Sequence, residues 1–112
     1  MQNLINRVQL IGHLGRDVET KELDKGRKVS KTVIATNEFY YDKEGEKVEN
    51  TTWHNLVAWG RTAERLQSFA SKGAKIAVMG KLSNRSYQDQ KGDTRYITEI
   101  IVHDFMVVNN VA

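Results

Sequence analysis

The residues in this sequence best suited to chemistry are two large aromatic side chains at an even spacing. Trp53 and Trp59 lie six positions apart, within a segment (residues 51–60) whose pattern predicts a β-strand. Because side chains alternate between the faces of a strand, both indoles lie on one face, about 20 Å apart. Leu56 and Ala58 lie on the opposite, inward face. The outward tryptophans form either a platform for flat ligands or the core of a subunit interface.

Basic residues accompany another aromatic ring on a second predicted strand. Residues 74–82 alternate again, and their outward parity continues beyond that segment. This parity places four side chains outward: Lys75, Lys81, Arg85 and Tyr87. Aromatic rings stack nucleobases with about 1–3 kcal/mol per base, and neighbouring cations neutralise the phosphates. Since a duplex hides the faces of its bases, this surface predicts binding to a single-stranded nucleic acid.

The charge distribution favours a polyanionic partner only in one part of the chain. The net charge is +3, but residues 61–95 contain eight basic and three acidic side chains. Lysine and arginine on an ordinary solvated surface give similar numbers, so charge alone leaves the hypothesis open. Six basic residues are candidates to neutralise phosphates: Lys31, Arg61, Lys75, Lys81, Arg85 and Lys91.

The sequence supplies little for catalysis. His13, His54 and His103 fall on three different predicted strands and lack the spacing of metal ligands. There is no cysteine, which excludes disulfides, thiolate zinc sites and cysteine nucleophiles. The segment Gly12-His13-Leu14-Gly15 lacks the Gly-Lys-Ser/Thr ending of a phosphate loop. We therefore expect a binding protein with no catalytic residues, no metal and no cofactor.

The elements that position these side chains follow from periodicity. Alternation and β-branched composition predict five strands, and an apolar stripe at helical spacing predicts one short helix between the third and the fourth. The expected strands are residues 6–15, 28–38, 51–60, 74–82 and 95–103, and the helix is residues 61–72. This order is typical of an all-β fold, a five-stranded Greek-key barrel of the OB type.

The predicted helix has one clear apolar stripe. Ala63, Leu66, Phe69 and Ala70 lie on it, so we expect Phe69 in the core. Gly73 follows at the position where a C-cap glycine ends many helices.

Length and hydropathy bound the class of protein. A chain of 112 residues has the size of one domain, so residues 1–112 are expected to form a single domain. The longest apolar runs are four residues, whereas a membrane-spanning helix needs about twenty. The first residues lack the basic region and apolar stretch of a secretory signal. We expect no membrane association and a cytoplasmic location.

A series of short motifs extends from residue 6 to residue 102. Residues 6–17, Asn-Arg-Val-Gln-Leu-Ile-Gly-His-Leu-Gly-Arg-Asp, resemble the pattern N-x-V-x-L-x-G-x-L-G-x-D of bacterial and mitochondrial single-stranded-DNA-binding proteins. The likeness continues in Ala35-Thr36-Asn37-Glu38, Thr52-Trp53-His54-Asn55-Leu56-Val57, Gly60-Arg61-Thr62-Ala63-Glu64, Lys72-Gly73, Gly80-Lys81-Leu82 and Arg95-Tyr96-Ile97-Thr98-Glu99. The resemblance implies an OB-fold subunit, usually of a homotetramer, that wraps single-stranded DNA during replication, recombination and repair.

The same resemblance implies roles for individual residues. The family's stacking aromatics fall on Tyr40, Trp53, Trp59 and Tyr87. His54 matches a histidine associated with the subunit interface, and an ordinary packed histidine is the equal alternative. Tyr96 is expected to pack and hydrogen-bond within the barrel instead of binding DNA.

Assembly and partners can also be predicted. Outward positions hold many apolar side chains, so some of them must meet another subunit. These side chains are Ile11, Val29, Val33, Ala77 and Met79. Together with the resemblance, they predict a homotetramer associated with the nucleoid. Family members usually continue into a linker with an acidic tip that recruits other proteins; the sequence stops at Ala112 without one, so we expect weak or no binding of such partners.

Two other functions stay open on the sequence alone. One is a dimeric OB-fold primosome component, in which the same surface serves assembly as well as DNA. The other is an oligomeric scaffold whose aromatic residues form interface core. Titration with DNA separates a binder from a scaffold, and the mass in solution separates a dimer from a tetramer.

Overall fold

The computed structural model describes residues 4–108 of the chain. This part contains six β-strands and one α-helix. The strands are β1 (Val8–Leu14), β2 (Glu19–Glu22), β3 (Lys28–Tyr41), β4 (Lys47–Trp59), β5 (Lys75–Gln88) and β6 (Thr94–Val107). The helix α1 (Gly60–Phe69) lies between β4 and β5. One sheet contains all six strands, in the order β1-β5-β6-β4-β3-β2.

Strand β1 closes this sheet into a barrel. Over most of its length β1 pairs antiparallel with β5, and at His13 and Leu14 it pairs with β3. Gly12 permits the closure, because a β-carbon there would collide with the backbone carbonyl of Ala35. The closed barrel consists of β1, β3, β4, β5 and β6, with the helix between the third and the fourth of these strands. The predicted five-stranded OB-type fold is therefore confirmed.

Strand β2 is an addition that the sequence pattern does not predict. Its four residues, Glu-Thr-Lys-Glu, show no apolar alternation, and three of them are exposed. It pairs antiparallel with the outer edge of β3, from Glu19–Lys31 to Glu22–Lys28. The hydroxyls of Thr20 and Ser30 lie 2.6 Å apart and hydrogen-bond across this pair. Strand pairing thus holds β2 in place, and β2 forms the edge of the sheet beside β3.

The barrel interior and the inner side of α1 share one apolar core. Alternation on β1 and β4 is as predicted, with Leu14, Leu56 and Ala58 buried. The core residues are Leu14, Ile34, Leu56, Ala58, Ala63, Leu66, Ala70, Ile76, Val78, Ile100, Val102 and Phe105. Fully buried Ser30 donates a hydrogen bond of 2.9 Å to the carbonyl of Ala63, which ties α1 to β3.

Two predictions for aromatic residues are wrong. Phe69, expected in the core, is 67% exposed, because α1 ends at this residue and Ala70 takes the last buried position. Gly73 accordingly lies in the turn beyond the helix, with a φ of 87°, and does not cap it. Tyr96, expected inside the barrel, is 80% exposed, because it lies on a part of β6 that extends beyond the barrel.

Two hairpins, β3–β4 and β5–β6, project from the barrel. Their strands are longer than the sequence pattern predicts. Both faces of a two-stranded ribbon contact water, so no inward face selects apolar residues and alternation fades. An aspartate organises each turn. Asp42 accepts hydrogen bonds of 2.9 Å from the backbone N–H groups of Glu44 and Glu46, and Asp89 accepts the equivalent pair in the other turn.

Candidate nucleic-acid interface

A row of four side chains crosses the outer face of the sheet. Lys31 of β3 pairs with Val57 of β4, Val57 pairs with Ile101 of β6, and Ile101 pairs with Lys81 of β5. Residues paired in this way lie on the same face of a sheet. At a strand spacing of about 4.8 Å, the backbones of the two lysines are about 14 Å apart. The row is therefore an apolar floor with a cation on each side.

A groove of about 670 Å³ runs over three members of this row, Lys31, Val57 and Ile101, and Lys81 lies beyond its lining. The acidic side chains of Glu19 and Glu99 also line the groove. Val29, Val57 and Ile101 line it with apolar surface, and Leu23, which follows β2, lines its edge. The indole of Trp59 also lines the groove and is 45% exposed. Val29, one of the outward apolar residues, is only 6% exposed, so its own chain already covers most of its surface.

A guanidinium lies over the ring of Trp59. The Cζ atom of Arg27 is 5.9 Å from the ring centroid. Trp59 pairs with Val29 at the start of β3, which brings Arg27, just before that strand, close to the end of β4. Arg27 could not be predicted from the sequence, because only the register between β3 and β4 shows that these distant positions meet.

Trp53 lies farther along the same face of β4. Its side chain is 61% exposed, and one edge of the indole packs over Gly15. A β-carbon on Gly15 would collide with that ring, so the glycine is required for this placement. The row through Trp53 continues around the barrel through Ala35 and His13 to Lys75. Lys75 is thus in register with Trp53 but three strands away from it.

A buried carboxylate faces the groove. Glu99 of β6 is 6% exposed and accepts two hydrogen bonds from Arg85, at 2.8 Å from Nε and 3.3 Å from Nη2. The hydrogen bond to Glu99 raises the pKa of Arg85 above its ordinary value. The same guanidinium lies 5.9 Å from the ring centroid of Tyr87. The charge of Arg85 is therefore already balanced within the protein, and a phosphate has to compete with Glu99 for it.

Tyr40 does not share the face of the two tryptophans. The pairing of β3 with β4 continues without a break up to the hairpin turn. Ala35 pairs with Trp53, so the odd-numbered residues of β3 lie on the tryptophan face and Tyr40 lies on the other. Phe39 and Tyr41 share the tryptophan face and are 59% and 66% exposed, respectively. Tyr40 itself is 54% exposed.

The other predicted cations lie at the margins of this face. Arg61 is exposed in the first turn of α1, two residues after Trp59. Lys91 is exposed in the turn between β5 and β6. The structure therefore brings six predicted residues together on one outer face: Lys31, Trp53, Trp59, Lys81, Arg85 and Tyr87. It places Tyr40, Arg61, Lys75 and Lys91 outside that set.

A second outer surface, which we call the β1 wall, consists of Ile11, Ala77, Met79 and Met106. Ile11 of β1 pairs with Ala77 of β5, and Ala77 pairs with Met106 of β6. Ile11 is 52% exposed and Met106 is 63% exposed. Apolar side chains in a row at this exposure are typical of a surface that another protein covers.

His54 lies on the face of β4 opposite Trp53. It is half-buried, and its Nε2 is 3.1 Å from the hydroxyl of Thr36, at hydrogen-bonding distance. It also lines a cleft of about 410 Å³ together with Leu10 and Ile11 of β1. His54 is therefore near the β1 wall, and its predicted role at a subunit interface stays a prediction.

The chemistry of the outer face suits recognition more than bond-making. It offers exposed rings, an apolar floor and flanking cations. Within residues 4–108, no three histidine, aspartate or glutamate side chains gather as they would around a metal ion. No helix in the described part of the chain is long and apolar enough to cross a membrane.

Comparison of the sequence with known proteins gives a consistent result. The model of the single-strand binding protein family matches residues 5–108. Single-stranded DNA-binding protein 1 of Chlorobaculum tepidum is 40% identical to this chain over 105 residues. The alignment covers 93% of this chain and 65% of that relative, so the chain spans somewhat less than two thirds of the relative's length.

Comparison of the structure gives the same fold. One similar solved structure is the Plasmodium falciparum single-stranded-DNA-binding protein in complex with single-stranded DNA, with a TM-score of 0.85 and 31% identity, covering 94% of this chain and 96% of that chain. Another is a deletion mutant of the single-stranded DNA binding protein from Thermus aquaticus. It has a TM-score of 0.82 at 23% identity, covers 95% of this chain and 51% of that chain, and shows the likeness of fold alone.

Proposed function

The chain belongs to the single-strand binding protein family, and on that premise we propose that it binds single-stranded DNA with little sequence preference. Bases stack on the exposed rings and lysines neutralise the phosphates, which protects the strand during replication, recombination and repair. Every base has a π-face, so stacking tolerates any sequence. The protein acts by binding, without catalysis, and is located with the DNA in the cytoplasm.

The row of Lys31, Val57, Ile101 and Lys81 is the observation that carries this proposal. Its apolar centre suits the faces and edges of bases, which lose hydration when they bind. Its two lysines lie where the phosphates on either side of such a base would be. Trp59 borders the same groove, so a base that lies on the floor finds a stacking partner within reach.

The remaining predicted residues divide into three groups on this proposal. Trp53, Trp59 and Tyr87 stack bases along the outer face. Tyr40 stacks a base on the other face of the β3–β4 hairpin. The three cations outside the set of six, Arg61, Lys75 and Lys91, attract the strand as it enters or leaves.

Arg85 has a positioning role in this account. Its guanidinium is bonded to the buried carboxylate of Glu99 and lies beside the ring of Tyr87. It therefore holds Tyr87 in place for stacking and contributes less to phosphate binding than the two lysines of the row do.

The proposal includes assembly. Residues 1–112 form one OB-fold domain, and four copies associate as a homotetramer in which the β1 wall is covered. Burial of Ile11 and Met106 removes their apolar surface from water and stabilises the contact at about 25 cal/mol per Å². His54, near that wall, contributes to the subunit interface.

Tryptophan fluorescence titrated with oligo-dT at several salt concentrations tests the proposed function. We expect saturable quenching, because bases stack directly on Trp53 and Trp59. We also expect log affinity to fall linearly with log salt, by about 0.7 for each phosphate contact. An unchanged fluorescence signal at low salt and micromolar protein would overturn the proposal and favour a scaffold.

A further inference from the structure

The β3–β4 hairpin carries an aromatic cluster that the tryptophan groove does not use. The rings of Phe39 and Tyr41 pack edge to face, with centroids 6.0 Å apart and planes at 86°. The Nζ atom of Lys47 lies 4.6 Å from the ring centroid of Phe39. Both rings remain more than half exposed although they contact each other. An ordered and exposed aromatic cluster on a projecting ribbon is a surface for a flat ligand.

This cluster is continuous with the face that holds Trp53. Phe39 pairs with Glu49, and Ala35 pairs with Trp53, in one uninterrupted register. Glu49, the partner of Phe39, lies four residues from Trp53 along β4, a distance of about 13 Å. The hydroxyl of Thr51 donates a hydrogen bond of 2.7 Å to the side chain of Asn37 between them, so the ribbon is braced on this face.

The charge on this face of the hairpin is balanced. Lys47 forms an ion pair of 3.4 Å with Glu49, and both lie on the cluster face. The acidic residues of the turn lie beyond the cluster, where Asp42 binds backbone N–H groups of its own loop. A neutral aromatic face binds bases by stacking and does not depend on phosphate neutralisation.

From these observations we propose that Phe39, Tyr41 and Lys47 form a second stacking site, the hairpin platform, for the strand of DNA that leaves the groove beyond Trp53. The inference rests on the proposed function and extends it to a longer path. The rings of the platform are held by each other and by Lys47, so little side-chain freedom is lost when a base stacks. Because stacking releases no counterions, the platform adds affinity that salt does not remove.

The test compares four proteins with oligo-dT of increasing length, from about four to about 16 nucleotides, the range of one OB domain. They are the wild type, Phe39→Ala/Tyr41→Ala, Trp59→Ala, and the control Tyr96→Ala, which removes a still more exposed ring from the other hairpin. For the double variant we expect wild-type affinity with the shortest oligonucleotides. Above a threshold length we expect a loss of about 5- to 150-fold for each base engaged, unchanged at high salt. The control should follow the wild type throughout.

Three results would overturn the hairpin platform. One is a double variant that follows the wild type at every length while Trp59→Ala weakens binding, since the groove then binds DNA and the platform does not. Another is a double variant with a smaller mass in solution than the wild type, since the rings then contact a second copy of the chain. A third is an equal loss at all lengths with an unchanged melting temperature, since the rings then act on the groove itself and not as a separate site. If the wild type itself binds none of the oligonucleotides, the proposed function fails as well.

Discussion

The groove face and the β1 wall are both outward surfaces of one barrel, yet their chemistry differs. On the groove face, apolar Val57 and Ile101 lie between Lys31 and Lys81. On the β1 wall, Ile11, Ala77 and Met106 follow each other in a row with no charge between them. Alternation alone gives both surfaces the same pattern of outward apolar residues. The side chains that flank the apolar centre therefore distinguish a surface for a polyanion from a surface for another subunit.

The largest expected effect is on assembly, and it comes from a substitution on the β1 wall. Ile11→Glu places a charge on the β1 wall, where no cation of the row compensates it, and burial of such a charge is costly. We expect the tetramer to dissociate, which light scattering measures as a smaller mass. Binding of a short oligonucleotide per subunit should persist. An intact tetramer would show that the subunits meet elsewhere.

The next effect concerns the groove face alone. Trp59→Ala removes a ring that is 45% exposed, so the fold should tolerate the change. We expect a loss of about 1–3 kcal/mol for each base engaged, and it should persist at high salt. Melting temperature and oligo-dT affinity are to be measured on the same sample. A collapsed melting temperature with unchanged affinity per folded molecule would assign Trp59 to the core.

A smaller effect is expected when Trp53 is displaced but not removed. In Gly15→Ala the new methyl group collides with the indole of Trp53, which has to move away from its position on β4. We expect about 1 kcal/mol of lost affinity, the lower end of the stacking range. In Trp59→Phe, Trp53 is the remaining tryptophan. Quenching of its fluorescence by oligo-dT, measured with and without Gly15→Ala, gives the change. Identical quenching would show that the ring stacks equally well from another position.

The smallest effect sharpens the role of Arg85. Glu99→Gln removes the carboxylate that balances the guanidinium, at nearly constant shape. With its charge free, Arg85 becomes a phosphate contact, so we expect the salt dependence to steepen by about 0.7. Affinity at low salt should rise. A flatter dependence would mean that Arg85 already binds phosphate in the wild type and that Glu99 only orients it.

Much of the fold could be predicted because the barrel strands have one buried face. Leu14, Leu56 and Ala58 have the inward parity of their strands and lie in the core. Strand β2 has no such face and is held by pairing with β3, so its sequence carries no signal. Phe69 shows the limit at a helix end: the stripe continues in sequence, but the helix stops at this residue.

The candidate site was predicted in its residue types more than in its arrangement. Trp53 and Trp59 share a face because one strand carries both, which parity alone reveals. The row from Lys31 to Lys81 combines four strands, and only the register shows it. Arg27 over Trp59 and Glu99 against Arg85 depend on the same long-range pairing, and local sequence does not encode either contact.

The central claim is that the lysines of the row, and not the general positive charge, hold the phosphates. The most direct test is the slope of log affinity against log salt for oligo-dT with the double variant Lys31→Ala/Lys81→Ala. As a control, Lys28→Ala/Lys72→Ala removes the same charge from positions outside the row. We expect a slope about 1.4 flatter for the first variant, two contacts at about 0.7 each, and a wild-type slope for the control. Equal slopes for the two variants would contradict it.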